Sequence, residues 1–173
     1  MLLHWLQKSP RSALVLLFLV CVGMLAFGQY LQHVVGLEPC PMCIVQRYLF
    51  VLVALSAVAA AALPARRAGV VLGGVILILA CAGAFVAARQ SWLQWYPPEV
   101  FTCGRDLYGM IEAFPLQRVV PMVFKGSGDC SAVDWTFLGG SIANWSFVCF
   151  CACGVSAALL AWRQRRLGPP VQD

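Results

Sequence analysis

Charge is what this chain has least of. Of its 173 residues only 11% are Asp, Glu, Lys or Arg and only two are histidine, whereas 61% are hydrophobic. An average soluble domain is about 25% charged and roughly 45–50% apolar, and a chain of this length cannot cover a soluble surface with so few charges. The mean hydropathy of +0.82 agrees. A soluble domain is therefore excluded, and one integral membrane domain spanning residues 1–173 is expected. Histidine is confined to His4 and His33, so a haem held by a histidine pair inside the membrane finds no support. No G-x-G-x-x-G opens a helix, and there is no soluble stretch long enough to hold a flavin.

What is there instead is a set of four apolar runs. Each is close to the roughly 20 residues needed to cross a hydrocarbon core of about 30 Å. They predict spans over about 12–29, 44–63, 69–88 and 144–162, and hence an all-α four-helix transmembrane bundle. Scattered Gly and Ala suit close helix packing, and Tyr30, Tyr48, Trp92, Trp95, Tyr96, Trp145 and Trp162 fall where interfacial aromatics belong. The first run, with Lys8 and Arg11 ahead of it and Ala26-Phe27-Gly28 behind, also has the look of a cleaved secretory signal. Cleavage would leave three spans and put one terminus on the wrong side for its charges, so a retained span is the expectation.

The basic residues set the orientation. Lys8, Arg11, Arg66, Arg67, Arg163, Arg165 and Arg166 share one side if both termini and the tight middle turn are cytoplasmic. The opposite side then carries a short loop, about 31–41, and a long one, about 89–143, in which four basic residues face five acids. The net charge of +5 is thus mostly topology, not a nucleic-acid surface. In a bacterial cell this places the chain in the inner membrane with periplasmic loops. Within the long loop, residues 107–124 mix apolar residues with Glu112 and Arg118 around Pro115 and Pro121, the pattern of short amphipathic helices on the membrane surface. Gly126-Ser127-Gly128-Asp129 reads as a tether or a plain loop turn.

Nine cysteines divide by position. Cys21, Cys81, Cys149, Cys151 and Cys153 lie inside apolar runs and read as small packing residues. Cys40, Cys43, Cys103 and Cys130 all fall on the outer side, where disulfides persist. The stretch Cys40-Pro41-Met42-Cys43-Ile44-Val45-Gln46-Arg47 opens the second span. Pro41 suits a first helical turn, and a helix N-terminus favours a thiolate. Arg47 lies one turn, roughly 6 Å, beyond Cys43 on the same face. There it can stabilise a thiolate, bind an anionic or carbonyl-bearing partner, or reach out to lipid head groups. A zinc site would need a second C-x-x-C or more histidines, and only His33 is placed to join Cys40 and Cys43. A static framework of structural disulfides stays open. A redox pair needs an onward electron acceptor, and with no flavin site the membrane's own quinone is reached by elimination.

Four spans, an outer C-x-x-C followed by x-x-x-Arg, and Tyr96-Pro97, Cys103 and Ser127-Gly128-Asp129-Cys130 in the second outer loop resemble the bacterial disulfide bond formation protein B family over residues 32–160. The resemblance implies a membrane protein-dithiol:quinone oxidoreductase that reoxidises a periplasmic thiol oxidase of the DsbA type. It implies ubiquinone, or menaquinone without oxygen, as acceptor, with no metal. It pairs Cys103 with Cys130 and Cys40 with Cys43, gives Cys103 the mixed disulfide with the oxidase, and has Cys130 attack Cys40 while Cys43 and Arg47 face the quinone. In one respect the chain departs from the family: Arg89-Gln90-Ser91 stands where members carry a histidine. Gln90 can hydrogen-bond a quinone oxygen but cannot deliver a proton. Two rivals remain, a non-catalytic scaffold with structural disulfides and a vitamin K epoxide reductase-like enzyme, whose active pair sits in a different helix order.

Overall fold

The structure, a computed structural model, describes residues 10–37, 39–63, 66–97 and 128–166. Four long helices dominate it: α1 (Pro10–His33), α2 (Pro41–Ala62), α3 (Arg66–Trp95) and, after a short α4 (Gly128–Ser131) and a two-stranded hairpin, α5 (Ile142–Arg166). All four are long and apolar enough to cross a membrane, over Arg11–His33, Pro41–Ala62, Gly69–Trp95 and Ile142–Arg163. Large side chains such as Leu19, Leu55, Ile78 and Val155 point outward, as they do when the solvent is lipid. The expected all-α four-helix membrane bundle is what forms.

Local sequence sets the helix ends. Pro10 and Pro41 open α1 and α2, where a missing N–H costs nothing. α1 stops where Gly36 takes φ +82° and Leu37 N–H returns to the Leu31 carbonyl at 3.0 Å. α2 ends at Leu63, whose N–H caps the Ala59 carbonyl, one residue before Pro64 disfavours helix. Ser141 caps α5, its Oγ accepting from Asn144 N–H at 3.4 Å.

Two expected boundaries are corrected. The long outer loop does not begin at Arg89: past the expected third span, α3 runs on to Trp95, 30 residues in all, or roughly 45 Å. That exceeds the hydrocarbon core by about three turns, so its polar C-terminal part is helix, not loop. The first outer loop likewise starts after His33 and not at Leu31. Gly128 and Asp129, expected in a tether or turn, form the first half of α4. The amphipathic segment 107–124 lies outside the described residues.

The helices pack as an up-and-down bundle in which α3 meets α5 most extensively, α2 lies against α3, and α1 rests on α2. The interface is built from small residues, among them Ala54, Ala57, Ala80, Ala87 and Ala157, which let backbones approach when lipid removes the hydrophobic drive to associate. At its centre Phe50 and Phe150 stack, centroids 4.0 Å apart and planes 12° from parallel. Between α4 and α5 the hairpin pairs Thr136 with Ser141 and Phe137 with Gly140. Its two-residue turn has both Leu138 and Gly139 at positive φ, 50° and 79°, the conformation that matches strand twist. Trp135 packs edge-on against Phe27 of α1 at 5.2 Å, and Trp145 Nε1–H donates to the Phe137 carbonyl at 3.0 Å. Residues 132–141 are thereby tied over the end of the bundle where α2 begins.

Candidate redox site

Cys40 is extended, φ −70° and ψ 161°, because a residue before proline is pushed out of the helical region. That makes it the N-cap of α2, and one turn of helix brings Cys43 back beside it. The Cys40 thiol donates to Cys43 Sγ at 3.2 Å, beyond the about 2.05 Å of a disulfide bond. From the other side α4 presents Cys130, 1% exposed, to the same cluster, which Met42, Val86 and Leu93 close off. Cys40 hydrogen-bonds with Cys130 as well as with Cys43, so one sulfur touches two others.

Its proton is held tightly. The Cys130 hydrogen bond, then the Cys43 hydrogen bond, then burial push the Cys40 thiol well above its ordinary range. A helix N-terminus alone would lower it. At Cys40 the neighbouring sulfurs outweigh the helix.

Two glutamines complete the cluster. Gln90, on the part of α3 not expected to be helical, donates through Nε2 to Cys43 Sγ at 3.2 Å and to Cys40 Sγ at 3.4 Å. Gln46, on α2, donates through its own Nε2 to Gln90 Oε1 at 2.7 Å. Both are 3% exposed. Next to them lies a cavity of about 90 Å³ bordered by Met24, Phe27, Cys43, Arg47, Phe50 and Gln90. Arg47 is anchored to α1, donating from Nη2 to the Gly28 carbonyl at 3.0 Å and from Nη1 to Gln32 Oε1.

Of the expected site residues, the fold brings Cys40, Cys43, Cys130 and Arg47 to one end of the bundle, and Cys103 lies outside the described residues. Gln46 and Gln32 were missed, and Gln90 was considered only as a donor to quinone. The signal for them was present: glutamine inside an apolar run needs a partner, and Gln46 sits one turn from Cys43. Among the described residues no three His, Cys, Asp or Glu side chains converge on a metal position, and His33, the residue placed to join Cys40 and Cys43 as a zinc ligand, is exposed at the end of α1. Of the cysteines expected to pack between helices, Cys21 and Cys153 are buried, but Cys81 and Cys151 face outward.

Fold and site together define a four-span membrane protein with a sulfur cluster at one end of the bundle, fit for thiol exchange. Residues 10–160 match the family of disulfide bond formation protein DsbB. Relatives called disulfide bond formation protein B are 66% identical in Polaromonas naphthalenivorans over 93% of this chain and 96% of that protein. They are 65% identical in Albidiferax ferrireducens, over 92% of each chain, and 52% in Azoarcus sp. strain BH72, over 91% and 93%. The chain belongs to the disulfide bond formation protein B family. Its role is accordingly in disulfide bond formation.

Proposed function

We propose that the chain is a dithiol:quinone oxidoreductase of the bacterial inner membrane that reoxidises a periplasmic thiol oxidase of the DsbA type. The observation that carries this reading is the contact of Cys40 with both Cys43 and Cys130. A sulfur with two sulfur neighbours can exchange one disulfide for another, since each step is attack of a thiolate on a disulfide sulfur.

In the resting protein Cys40 is bonded to Cys43 and Cys103 to Cys130. A thiolate of the soluble oxidase attacks Cys103, forming a mixed disulfide and releasing Cys130 as a thiolate. Cys130 attacks Cys40, forming the Cys40–Cys130 bond and releasing Cys43 as a thiolate. The oxidase's second thiolate then attacks its own sulfur in the mixed disulfide and leaves oxidised, freeing Cys103. Cys103 takes back Cys130, and Cys40 and Cys43 are left reduced by two electrons. Pro41 and the α2 start fix the Cys40–Cys43 spacing, and α4 brings Cys130 into reach.

The cavity residues fit a quinone head group by their chemistry: the Arg47 guanidinium and the Gln32 amide are donors for carbonyl oxygens, and Phe27 and Phe50 give flat apolar walls. A quinone there supplies the two-electron, two-proton acceptor that returns the pair to the disulfide. Which quinone serves, ubiquinone or menaquinone, is decided by presenting each.

The test uses the full chain in lipid nanodiscs with a reduced DsbA-type oxidase and ubiquinone. Quinone reduction should proceed, and Cys43→Ser should abolish it while leaving the helical fold intact. Undiminished turnover in Cys43→Ser would overturn the reading.

A further inference from the structure

The two buried glutamines do something the thiol relay by itself does not require. A primary amide has two N–H donors on one nitrogen and an acceptor on the other atom. Gln90 spends both donors on sulfur, at 3.2 and 3.4 Å, and its acceptor on Gln46 at 2.7 Å. Gln46 comes from α2, the helix that carries the cysteines, and Gln90 from α3. The N–H of Gln46 thus decides which way the Gln90 amide faces: with a donor at Oε1, the NH₂ must turn to the sulfurs. Turned the other way, two donors would confront each other and an oxygen lone pair would face a sulfur that is to become an anion.

We propose that Gln90 and Gln46 form an amide clamp, Gln90 a catalytic residue that stabilises the thiolate released at Cys43 and Gln46 a positioning residue that holds Gln90 with its donors on sulfur. The inference rests on the thiol-exchange reading for what the thiolate is used for, but not for how the clamp acts. A buried anion is tolerated when it accepts hydrogen bonds. An amide has no proton to lose near neutral pH, so the clamp works unchanged over the range in which the thiols themselves ionise. The other titratable or charged groups at the site among the described residues are the thiols of Cys40 and Cys130, Arg47 on α2 and Asp134 in the segment crossing the cavity. All four stay in place in every variant below.

The experiment measures alkylation of Cys43 by iodoacetamide in the fully reduced full-length protein, in nanodiscs without quinone or partner, from pH 5 to 10, read by peptide mass spectrometry. The native rate should follow one ionisation. Gln90→Leu should slow it roughly tenfold at pH 7, the scale of one hydrogen bond to a charged group. Gln90→His should restore much of the rate at low pH and add a second ionisation near the histidine range, about 6.5. Gln46→Glu leaves Gln90 itself untouched but accepts where Gln46 donated. It should turn the amide over and slow Cys43 once the new carboxyl ionises. A purely structural role would lower thermal stability in these variants without moving the rate–pH curve. Native curves in Gln90→His and Gln46→Glu would overturn the proposal even where Gln90→Leu fails to fold. Loss of native quinone reduction with the clamp effects intact would instead count against the redox function, so the two failures are distinguishable.

Discussion

Cys40 and Cys43 stand three residues apart yet meet opposite demands. In the proposed relay Cys40 is the sulfur that exchanges bonds with Cys130, and its proton is held by hydrogen bonds to Cys130 and Cys43 and by burial. Cys43 borders the cavity and accepts from both Cys40 and Gln90. A thiol pushed upward has less thiolate at any given pH, and only thiolate reacts. In the reduced protein at pH 7 iodoacetamide should therefore modify Cys43 before Cys40, with the gap closing as pH rises toward the Cys40 ionisation. Burial alone would give a gap that does not change with pH. Equal rates at pH 7, or a gap that stays constant to pH 10, would sink the assignment. The sign carries over to stability. Below the ordinary thiol value of about 8.5 both states hold the Cys40 proton, and above it only the folded state does. The reduced fold accordingly loses stability as pH climbs above about 8.5. Of this chemistry the cysteines and Arg47 were legible from spacing. The glutamines were not, because a single polar residue in an apolar run announces only that it needs a partner.

Among the elements, the α3–α5 contact has the least room for change. Gly83 of α3 faces Phe150, whose ring is fully buried and stacked on Phe50 of α2. A Cβ at Gly83 would fall inside contact distance of three atoms of that ring, and a ring held on both faces cannot swing aside. Gly83→Ala should cost about 1–3 kcal/mol, read as a fall in the thermal unfolding midpoint in nanodiscs. Gly74→Ala, where no atom lies within 4 Å of the added methyl, should be near neutral. Equal effects of the two would show that the stack is not what the glycine serves. The four long elements were readable because an apolar run of about 20 residues has few alternatives in a membrane. The end of α3 was not. Gln90, Ser91 and Gln94 break the hydropathy, yet each is bonded within the protein: Gln90 to the sulfurs, Ser91 Oγ to the Ala87 carbonyl at 3.0 Å, and Gln94 to Ser141 Oγ at 2.6 Å. Hydropathy counts them as solvent-seeking, whereas packing turns them inward.

At the scale of the whole molecule the up-and-down course puts the start of α1, the α2–α3 turn and the end of α5 at one end, and Cys40, Cys130 and the hairpin at the other. Arg11, Arg66, Arg67, Arg163, Arg165 and Arg166 all fall in the segments of the first end. Basic residues in short segments stay in the cytoplasm, and this bias sets orientation more strongly than net charge does. On the proposed function the sulfur cluster belongs on the oxidising side, where a thiol relay can be sustained. Two added cysteines, each read at its own peptide by mass spectrometry with the nine native cysteines left in place, test this without disturbing the site. Leu138, 82% exposed at the hairpin tip, and Leu63, 50% exposed at the α2–α3 turn, lie at opposite ends of the bundle. In intact cells with a permeabilised outer membrane, Leu138→Cys should react with an impermeant maleimide and Leu63→Cys should not, until the inner membrane is opened. Labelling of Leu63→Cys before Leu138→Cys would place the thiols in the reducing cytoplasm, where a disulfide relay of this design could not be sustained.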